Sequence, residues 1–232
     1  MRRIILLSSL LFLWTNPAVF SQTTQNEHRL IRLHYTDSSG EKGLTTFEYD
    51  HNGLMYKALW KLLNGERCSV NYYSYDENSK LVKKYREFSD GIISIQLYKY
   101  SNKGNLTEET FWRSDSVTGK VIYSYDHEGK RLKAKCKGMN GWFYGTIDYE
   151  YNNSGNKKSA KLSNAEGDIG SISYSYDSNN KLTEEVWNFN SGFSQTFIYE
   201  YQPDKNSESP YTGSKVFLNS DKNFRHAKEY YD

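Results

Sequence analysis

Cysteine, net charge and long apolar segments are what this chain has least of. It contains only two cysteines, Cys68 and Cys136. In the repeat pattern described below they fall five strands apart, at about 4.8 Å per strand of a flat sheet, whereas a disulfide needs Cα atoms about 4.4–6.8 Å apart. Unless the sheet curls, the sequence therefore predicts two unpaired, buried thiols and excludes a disulfide framework.

Excess charge of either sign is also missing. The 30 basic residues include Arg2 and Arg3, which lie in an N-terminal segment without acidic residues, so 28 basic residues remain beyond residue 21 against 28 acidic ones. Such a balance offers no electrostatic footprint for nucleic acid or anionic lipid. We expect no nucleic-acid partner.

The N-terminus holds the one long apolar run, from Ile4 to Trp14. A basic start, a short apolar core and the small residue Ser21 are typical of a secretory signal peptide. The run is shorter than the roughly 18 apolar residues that span a bilayer; an uncleaved anchor is the alternative. We predict a signal peptide over residues 1–21, export to the periplasm, the cell surface or the medium, and no membrane-spanning segment after cleavage.

Apolar residues are scarce overall, at 37% of the chain against the usual 45–50% or so. Tyrosine is the main aromatic residue, with 21 copies against 11 of Phe and 5 of Trp. Its ring offers a large flat surface with a polar end. This composition favours a thin sheet with two partly wet faces over a thick apolar core.

Repetition is what the chain has in abundance. An aromatic-x-Tyr motif recurs seven times at steps of 25 or 26 residues. A fixed period of this size predicts a repeat fold in which each unit buries its apolar face against its neighbours. We call the second tyrosine of each copy the anchor tyrosine; the anchors are Tyr49, Tyr75, Tyr100, Tyr125, Tyr151, Tyr176 and Tyr201.

Two turns recur in each unit. A glycine lies sixteen residues after five of six anchors, mostly behind Asn or Asp, which predicts type I′ hairpin turns at 64–65, 90–91, 140–141, 166–167 and 191–192. These turns place Tyr75 opposite Leu54, Tyr100 opposite Leu81 and Tyr201 opposite Leu182. The second turn begins with an Asp or another capping residue directly after the anchor. Its fourth residue is mostly of a type that tolerates a left-handed backbone: Gly53, Ser79, Gly104, Gly129, Gly155 and Asn180.

Strands of about 8–10 residues fit between these turns. With an opening half unit over residues 29–50, the pattern predicts fourteen strands. Open twisted sheets rarely exceed about ten strands without curling, so we predict an all-β, repetitive antiparallel hairpin meander that forms one curved, twisted sheet over residues 22–205. Residues 206–232 are predicted to be a C-terminal extension or cap, with Lys215 to Asn219 as a candidate final strand. Met55 to Leu63 also has helical spacing, but its phase favours a strand.

The segment from Tyr123 to Leu132 resembles the YD repeat of the Rhs-type family, and Tyr73–Asp76 and Tyr174–Asp177 carry the same type of tetrad. The resemblance covers roughly Phe47 to Lys205. It implies secretion and β-sheet architecture, since such repeats build curved shells on secreted bacterial toxins and on animal cell-surface adhesion proteins. The chain has fewer repeats than a closed shell of that family, and neither a self-cleaving segment nor a toxin domain is recognised, so the resemblance does not imply toxicity.

No residue pattern predicts catalysis or a bound cofactor. The five histidines show no metal-ligand spacing, and each turn supplies one Asp where a calcium loop needs several oxygens. Glu108–Glu109 and Glu184–Glu185 are paired carboxylates, but neighbours on a strand point to opposite faces. Their equivalent places in two repeats indicate solvated surface. We therefore expect no metal, no cofactor and no enzymatic activity.

Aromatic rings are the remaining candidates for a site. The anchor tyrosines should form a row at about 9–10 Å spacing, which we interpret as a packing ladder; a stacking track for a polymer is the alternative. Tryptophans break the repeat pattern, and an exposed aromatic patch indicates a binding surface. We predict ligand contacts at Trp60, Trp112, Trp142 and Trp187.

Two functions follow from these observations. The first is an exported, non-catalytic binding, adhesion or scaffold module, with a carbohydrate or a cell-envelope protein as its partner. The alternative is a structural shell or accessory component of a secreted toxin-like system of the Rhs type.

Overall fold

The computed structural model describes residues 29–65, 67–115, 118–137 and 144–202. Within these ranges the chain is an antiparallel β-structure, and no helix in them is long and apolar enough to cross a membrane. The strands are β1 (Leu30–Asp37), β2 (Lys42–Tyr49), β3 (Met55–Leu62), β4 (Cys68–Tyr75), β5 (Leu81–Phe88), β6 (Ile93–Tyr100), β7 (Leu106–Arg113), β8 (Thr118–Tyr125), β9 (Arg131–Lys137), β10 (Gly145–Tyr151), β11 (Lys157–Asn164), β12 (Gly167–Tyr176), β13 (Leu182–Phe189) and β14 (Ser194–Tyr201).

The fourteen described strands form a closed barrel, since each strand pairs with the next and β1 pairs with β14. Seven Cα pairs join these terminal strands, from Leu30 with Tyr201 to Asp37 with Gln195. The prediction of an all-β antiparallel meander of fourteen strands is confirmed. The predicted curved, twisted sheet does not stay open but closes into the barrel, because pairing β1 with β14 satisfies two rows of backbone groups that an open sheet would leave unpaired.

The closing pair repeats a junction found elsewhere in the barrel. Leu81 is the Cα partner of Tyr75 between β4 and β5, and Leu30 is the Cα partner of Tyr201 between β14 and β1. The backbone N–H of Gln202 donates to the carbonyl of Arg29 at 2.6 Å, as the N–H of Asp76 does to Lys80. The opening half unit therefore takes the place of the first strand of an eighth unit, and this substitution closes the barrel.

Side chains alternate between the barrel interior and solvent. On β8, Val121 and Tyr123 are each 8% exposed and face inward, whereas Ile122 between them is 37% exposed and faces outward. Inward residues from strands all around the barrel form one hydrophobic cluster. The sheet was predicted from the tyrosine content to have two partly wet faces. In the structure its outer face is exposed to solvent and its inner face is packed.

Every odd-numbered strand carries a β-bulge after its first inward residue. On β5, Leu81 pairs with Tyr75 but Lys83 pairs with Ser74, so Val82 is an extra residue. The next inward residue is therefore Lys84, three positions after Leu81. Bulges of this kind increase local twist, which helps a long meander to curl into a barrel.

The predicted type I′ turns are wrong where the structure describes them. At 90–91 the N–H of Phe88 donates to the carbonyl of Ile92, which leaves a three-residue loop in which only Gly91 has positive φ, at 83°. The loop that contains 191–192 also has three residues. The loop that contains 64–65 has four residues, and the turn predicted at 166–167 is formed by residues 165–166. One left-handed glycine suffices in such loops, whereas type I′ demands two positive φ values.

The three-residue loops shift the register by one residue. In the pair of β5 and β6, Lys83 is the Cα partner of Leu97, where the predicted register has Tyr98, so Leu81 does not lie opposite Tyr100. In the pair of β13 and β14, Glu184 is the partner of Ile198, where the predicted register has Tyr199, so Leu182 does not lie opposite Tyr201. Between β3 and β4 the register is the predicted one, with Lys57 opposite Tyr72.

The second turn is confirmed. Asp76 Oδ1 accepts the backbone N–H groups of Asn78 and Lys80 at 2.9 and 2.8 Å, and Asp50, Asp126 and Asp177 cap their turns in the same way. The six residues predicted to tolerate a left-handed backbone all have positive φ, including Ser79 at 60° and Asn180 at 61°. Residues 55–62 form a strand, as predicted.

Both cysteines are free, as expected, and Cys136 is buried in the barrel, but Cys68 is only partly buried, so the prediction of two buried thiols is wrong for Cys68. The predicted signal peptide, the 140–141 turn, Trp142, the candidate strand at 215–219 and the C-terminal extension lie outside the described residues.

Candidate functional site

The anchor tyrosines form a ring of hydrogen bonds at one end of the barrel. Six of the seven hydroxyls donate to the carbonyl of the first inward residue of the odd strand before them. Tyr100, for example, donates to the Leu81 carbonyl at 2.9 Å. The same bond joins Tyr49 to Leu30, Tyr75 to Met55, Tyr125 to Leu106, Tyr151 to Arg131 and Tyr201 to Leu182. Tyr75, Tyr100, Tyr125 and Tyr201 also pack against the core. The row is therefore a structural ladder that faces inward, and phenylalanine at these positions would lack the hydroxyl that makes the hydrogen bond.

Charged side chains inside the barrel are the feature that sequence reasoning missed. Glu109 and Glu185 are 3% and 8% exposed and face inward, so their assignment to solvated surface is wrong. The bulge explains the error, because it moves the second inward position by one residue. The sequence did contain a signal, namely charged residues at repeat positions that are apolar in other units. Glu109, Glu185 and Lys84 occupy the position that holds Ala58, Ala134 and Ala160 in other units. Arg131 and Lys157 occupy the position that holds Leu in other units.

Glu109 is the centre of the first charged group. Its carboxylate accepts hydrogen bonds from the Tyr123 hydroxyl, at 2.6 Å, and from the Gln96 amide. Burial raises the pKa of Glu109, while these donors and the charges of Arg131 and Lys84 oppose the rise. The Arg131 guanidinium lies over the Tyr123 ring, 4.0 Å from its centroid.

Two cations beside this group are buried as well. Burial lowers the pKa of Lys84 well below its ordinary value, and the charge of Arg86 adds to the effect. Burial also lowers the pKa of Arg86 to about 10. Arg86 donates from Nε to Asn71 Oδ1 at 2.6 Å. Arg86 thus links β4 to β5, and the contacts of the Glu109 group link β6, β7, β8 and β9.

Glu185 on β13 and Lys157 on β11 make up a second charged group in the interior. Trp187 donates from Nε1 to Glu185 at 2.5 Å, and the Tyr199 hydroxyl donates to the other carboxylate oxygen at 3.4 Å. Burial raises the pKa of Glu185. Burial lowers the pKa of Lys157 to about 8, with repulsion from Arg131 acting in the same direction and Glu185 against it. The Lys157 ammonium lies 5.0 Å from the Tyr149 ring centroid.

The chemistry available to these groups is stabilisation of the barrel. Glu109 and Glu185 each accept from donors of the barrel's own wall, and both are nearly inaccessible to solvent. Among the described residues there is no group of three or more His, Cys, Asp or Glu side chains that could hold a metal ion.

The predicted tryptophan contacts are not brought together. Trp60 and Trp187 are 2% and 3% exposed and lie in the barrel interior, on β3 and β13. Trp112 lies on the outer face of β7 and is 39% exposed. A ligand role for these tryptophans stays a prediction, and Trp112 is the described member that solvent reaches.

A closed meander barrel with an inward tyrosine in each repeat is the architecture of a shell-type repeat protein, and comparison with known families agrees. The family model of the teneurin YD-shell matches residues 16–222. The chain belongs to this family, and the predicted kinship with YD-repeat, Rhs-like proteins is confirmed. None of the curated proteins matches the chain.

Among solved structures, the chain is similar to a porin-like protein from Bacteroides uniformis, with 14% identity, 75% of this chain and 96% of that chain covered, and a TM-score of 0.40. It is also similar to the TcdB2-TccC3-Cdc42 complex, with 15% identity over 66% of this chain and a TM-score of 0.32. A third is the Photorhabdus luminescens Tc holotoxin pore, with 11% identity over 65% of this chain and a TM-score of 0.20. The chain spans 9% and 13% of those two toxin chains. At these TM-scores the similarities carry neither geometry nor function over to this protein.

Proposed function

We propose that the chain is an exported, non-catalytic structural shell module that serves as a component of a secreted toxin-like system. The observation that carries this proposal is the closure of the barrel by the repeat's own junction, with Leu30 in the place that Leu81 and Leu182 occupy in other units. A closed wall whose interior is taken up by its own tyrosines and buried charged side chains suits a scaffold. Membership of the YD-shell family points in the same direction.

Export rests on the N-terminal sequence and on the kind of family to which the chain belongs. Arg2, Arg3 and the apolar run that follows are the features that a secretion machinery recognises. The partner that this role implies is another protein of the same secreted system.

The experiment has two arms. In the first arm, cells that produce the full chain or a variant without residues 2–21 are fractionated. The full chain should be found in the periplasmic, surface or culture fraction, and the variant should be found in the cytosol. Crosslinking and affinity capture of the exported chain from its own host should recover a secreted toxin-type protein. Retention of the full chain in the cytosol, or turnover of a substrate by the purified chain, would contradict the proposal.

A binding or adhesion role is the second candidate, favoured by the exposure of Trp112. A glycan-array screen of the full chain and of Trp112→Ala tests it. Binding that Trp112→Ala abolishes would favour this candidate, and an empty screen with the intact chain would remove carbohydrate as the ligand.

A further inference from the structure

An amine, a carboxamide and a carboxyl group lie on three consecutive strands inside the barrel. Lys84 on β5, Gln96 on β6 and Glu109 on β7 face inward and are 5%, 3% and 3% exposed. Lys84 and Gln96 are Cα partners. The Cβ atoms of residues that lie opposite each other in this way are about 4.5–5.5 Å apart. The Lys84 amine and the Gln96 carboxamide therefore share one small region of the interior.

The Glu109 carboxylate is associated with both of these groups. It accepts a hydrogen bond through Oε2 from Gln96 Nε2, and its other oxygen accepts from the Tyr123 hydroxyl at 2.6 Å. Burial lowers the pKa of Lys84, and the charge of Glu109 is the influence that opposes this shift. Glu109 thus contacts the carboxamide directly and is close enough to the amine for their charges to interact.

A second buried carboxamide near Lys84 is already occupied at both ends. Asn71 on β4 accepts through Oδ1 from Arg86 Nε at 2.6 Å and donates from Nδ2 to the carbonyl of Ala58 at 3.4 Å. Gln96 differs, because its Oε1 has no hydrogen-bond partner among the described residues. Gln96 is therefore the carboxamide that can turn towards the amine.

We propose that Lys84 and Gln96 form an intramolecular isopeptide bond in the folded barrel, with Glu109 as the proton carrier. The Lys84 Nζ attacks Cδ, the side-chain carbonyl carbon of Gln96. The Nζ–Cδ bond forms, the Cδ–Nε2 bond breaks, and Nε2 leaves as ammonia. Nζ passes one proton to Glu109, which passes it to the departing nitrogen, so the carboxylate is regenerated. No group is oxidised or reduced, and no co-reactant is needed.

The interior supplies the conditions that this reaction needs. Burial lowers the pKa of Lys84 well below its ordinary value, which favours the uncharged, nucleophilic amine. Burial also raises the pKa of Glu109, and a carboxyl group is a more effective proton carrier when its pKa is nearer the working pH. The two strands hold the amine beside the carboxamide, so the reaction needs no chance encounter.

The bond ties β5 to β6 covalently through the interior. Neither cysteine forms a disulfide, so the isopeptide bond gives the barrel a cross-link that its thiols do not provide. Its formation does not depend on the proposed function, because it requires only that the barrel folds.

Peptide mapping of the purified full chain tests the proposal. Trypsin cleaves after lysine and arginine, so an unlinked chain gives residues 85–86 and 87–99 as separate peptides. An isopeptide-bonded Lys84 is not cleaved. The linked chain should therefore give a branched peptide in which residues 84–86 are joined to residues 87–99 with the loss of one ammonia, and fragmentation should locate the bond at Lys84 and Gln96. Recovery of the separate peptides alone would overturn the proposal.

Intact masses of variants are the second measurement. The parent should show one ammonia loss that Lys84→Met lacks, and Glu109→Gln should slow bond formation by about a hundredfold or more. Lys83→Met and Glu108→Gln, on the outer face of the same strands, are the matched controls and should keep the loss. Equal losses in the parent and Lys84→Met would overturn the proposal, since cyclisation of a terminal glutamine such as Gln22 gives the same loss without Lys84. Circular dichroism checks that each variant folds, and the peptide map of the parent decides the question whether or not they do.

Discussion

Tyr35 on β1 and Phe197 on β14 are Cα partners in the strand pair that closes the barrel, and their ring centroids are 5.5 Å apart. The Tyr35 hydroxyl accepts from Gln195 on β14 at 3.1 Å and donates to Asp37 at 2.9 Å. The first and last described strands are thus joined by buried side chains as well as by backbone hydrogen bonds.

Truncation of Phe197 should weaken this closure. Phe197 is 3% exposed, and loss of a buried phenyl ring costs about 3–5 kcal/mol. Phe197→Ala should therefore lower the free energy of unfolding by about that amount in urea titrations. Its neighbour Ile198 is 49% exposed, so Ile198→Ala should change it by less than about 0.5 kcal/mol. Equal losses in the two variants would contradict the assignment of faces on β14.

Removal of an anchor hydroxyl should cost a hydrogen bond and little else. Tyr100→Phe keeps the ring but leaves the Leu81 carbonyl without its donor, which should cost about 0.5–1.5 kcal/mol of unfolding free energy. Tyr144 is 60% exposed, so Tyr144→Phe is the control and should be neutral. Unchanged stability of Tyr100→Phe would show that the ladder depends on ring packing alone.

The adjacent residues Glu108 and Glu109 should differ in their effect on stability. Glu109→Ala leaves Lys84 and Arg131 buried beside a missing acid, which should cost about 3–5 kcal/mol. Glu108 bridges Lys99 and Lys120 on the outer surface at 3.1 and 3.0 Å, so Glu108→Ala should cost no more than about 1 kcal/mol. The test is the difference between the denaturation midpoints of the two variants. A larger loss in Glu108→Ala than in Glu109→Ala would contradict the position of the bulge on β7.

The left-handed turn position should tolerate asparagine but not valine. Gly129 has a φ of 84°, and Gly129→Val should lose about 1–3 kcal/mol because a β-branched residue is strained there. Asn180 occupies the equivalent position with a φ of 61°, so Gly129→Asn should lose less than about 1 kcal/mol. The thermal midpoints of the two variants, each compared with that of the parent, measure these losses.

The tyrosine ladder should make the barrel sensitive to alkali. Burial raises the pKa of Tyr100 and Tyr201 from 10.0 to about 12. The folded state therefore favours the neutral phenols, and their contribution to stability is complete below pH 10 and is lost as the pH rises from 10 to 12. Thermal midpoints should fall over that window. Tyrosinate absorbance of the folded protein at pH 11 should be well below that of the urea-unfolded chain, and equal absorbance would contradict the prediction.

Several features of the fold could be predicted from the sequence because they depend on local chemistry. The turns after the anchors follow from an Asp that caps nearby N–H groups and from residues that accept positive φ. The inward rows of aromatic-x-Tyr follow from the period-two alternation of a strand. The hairpin turns could not be predicted as reliably, since Asp90-Gly91 is compatible with both a two-residue and a three-residue loop.

The buried charges could not be assigned from alternation alone. Counted from the neighbouring turn, Glu108 and Glu109 are equivalent candidates for either face, and the bulge at Thr107 decides between them. The same insertion in each odd strand shifts the face of every residue that follows it. Trp60 and Trp187 break the repeat pattern for a related reason: they fill the interior at positions where Arg86 and Cys136 stand in other units.

The sequence by itself determined the number of strands, their antiparallel order and the half unit at the start of the array, because each depends on contacts within about 25 residues. Only the tertiary structure decided that the sheet closes. Leu30 and Tyr201 are far apart in the chain, and nothing in a periodic pattern states how much each unit twists. The summed twist of fourteen strands, seven of them bulged, brings the half unit to the last repeat, where the same tyrosine junction that joins every other unit completes the barrel.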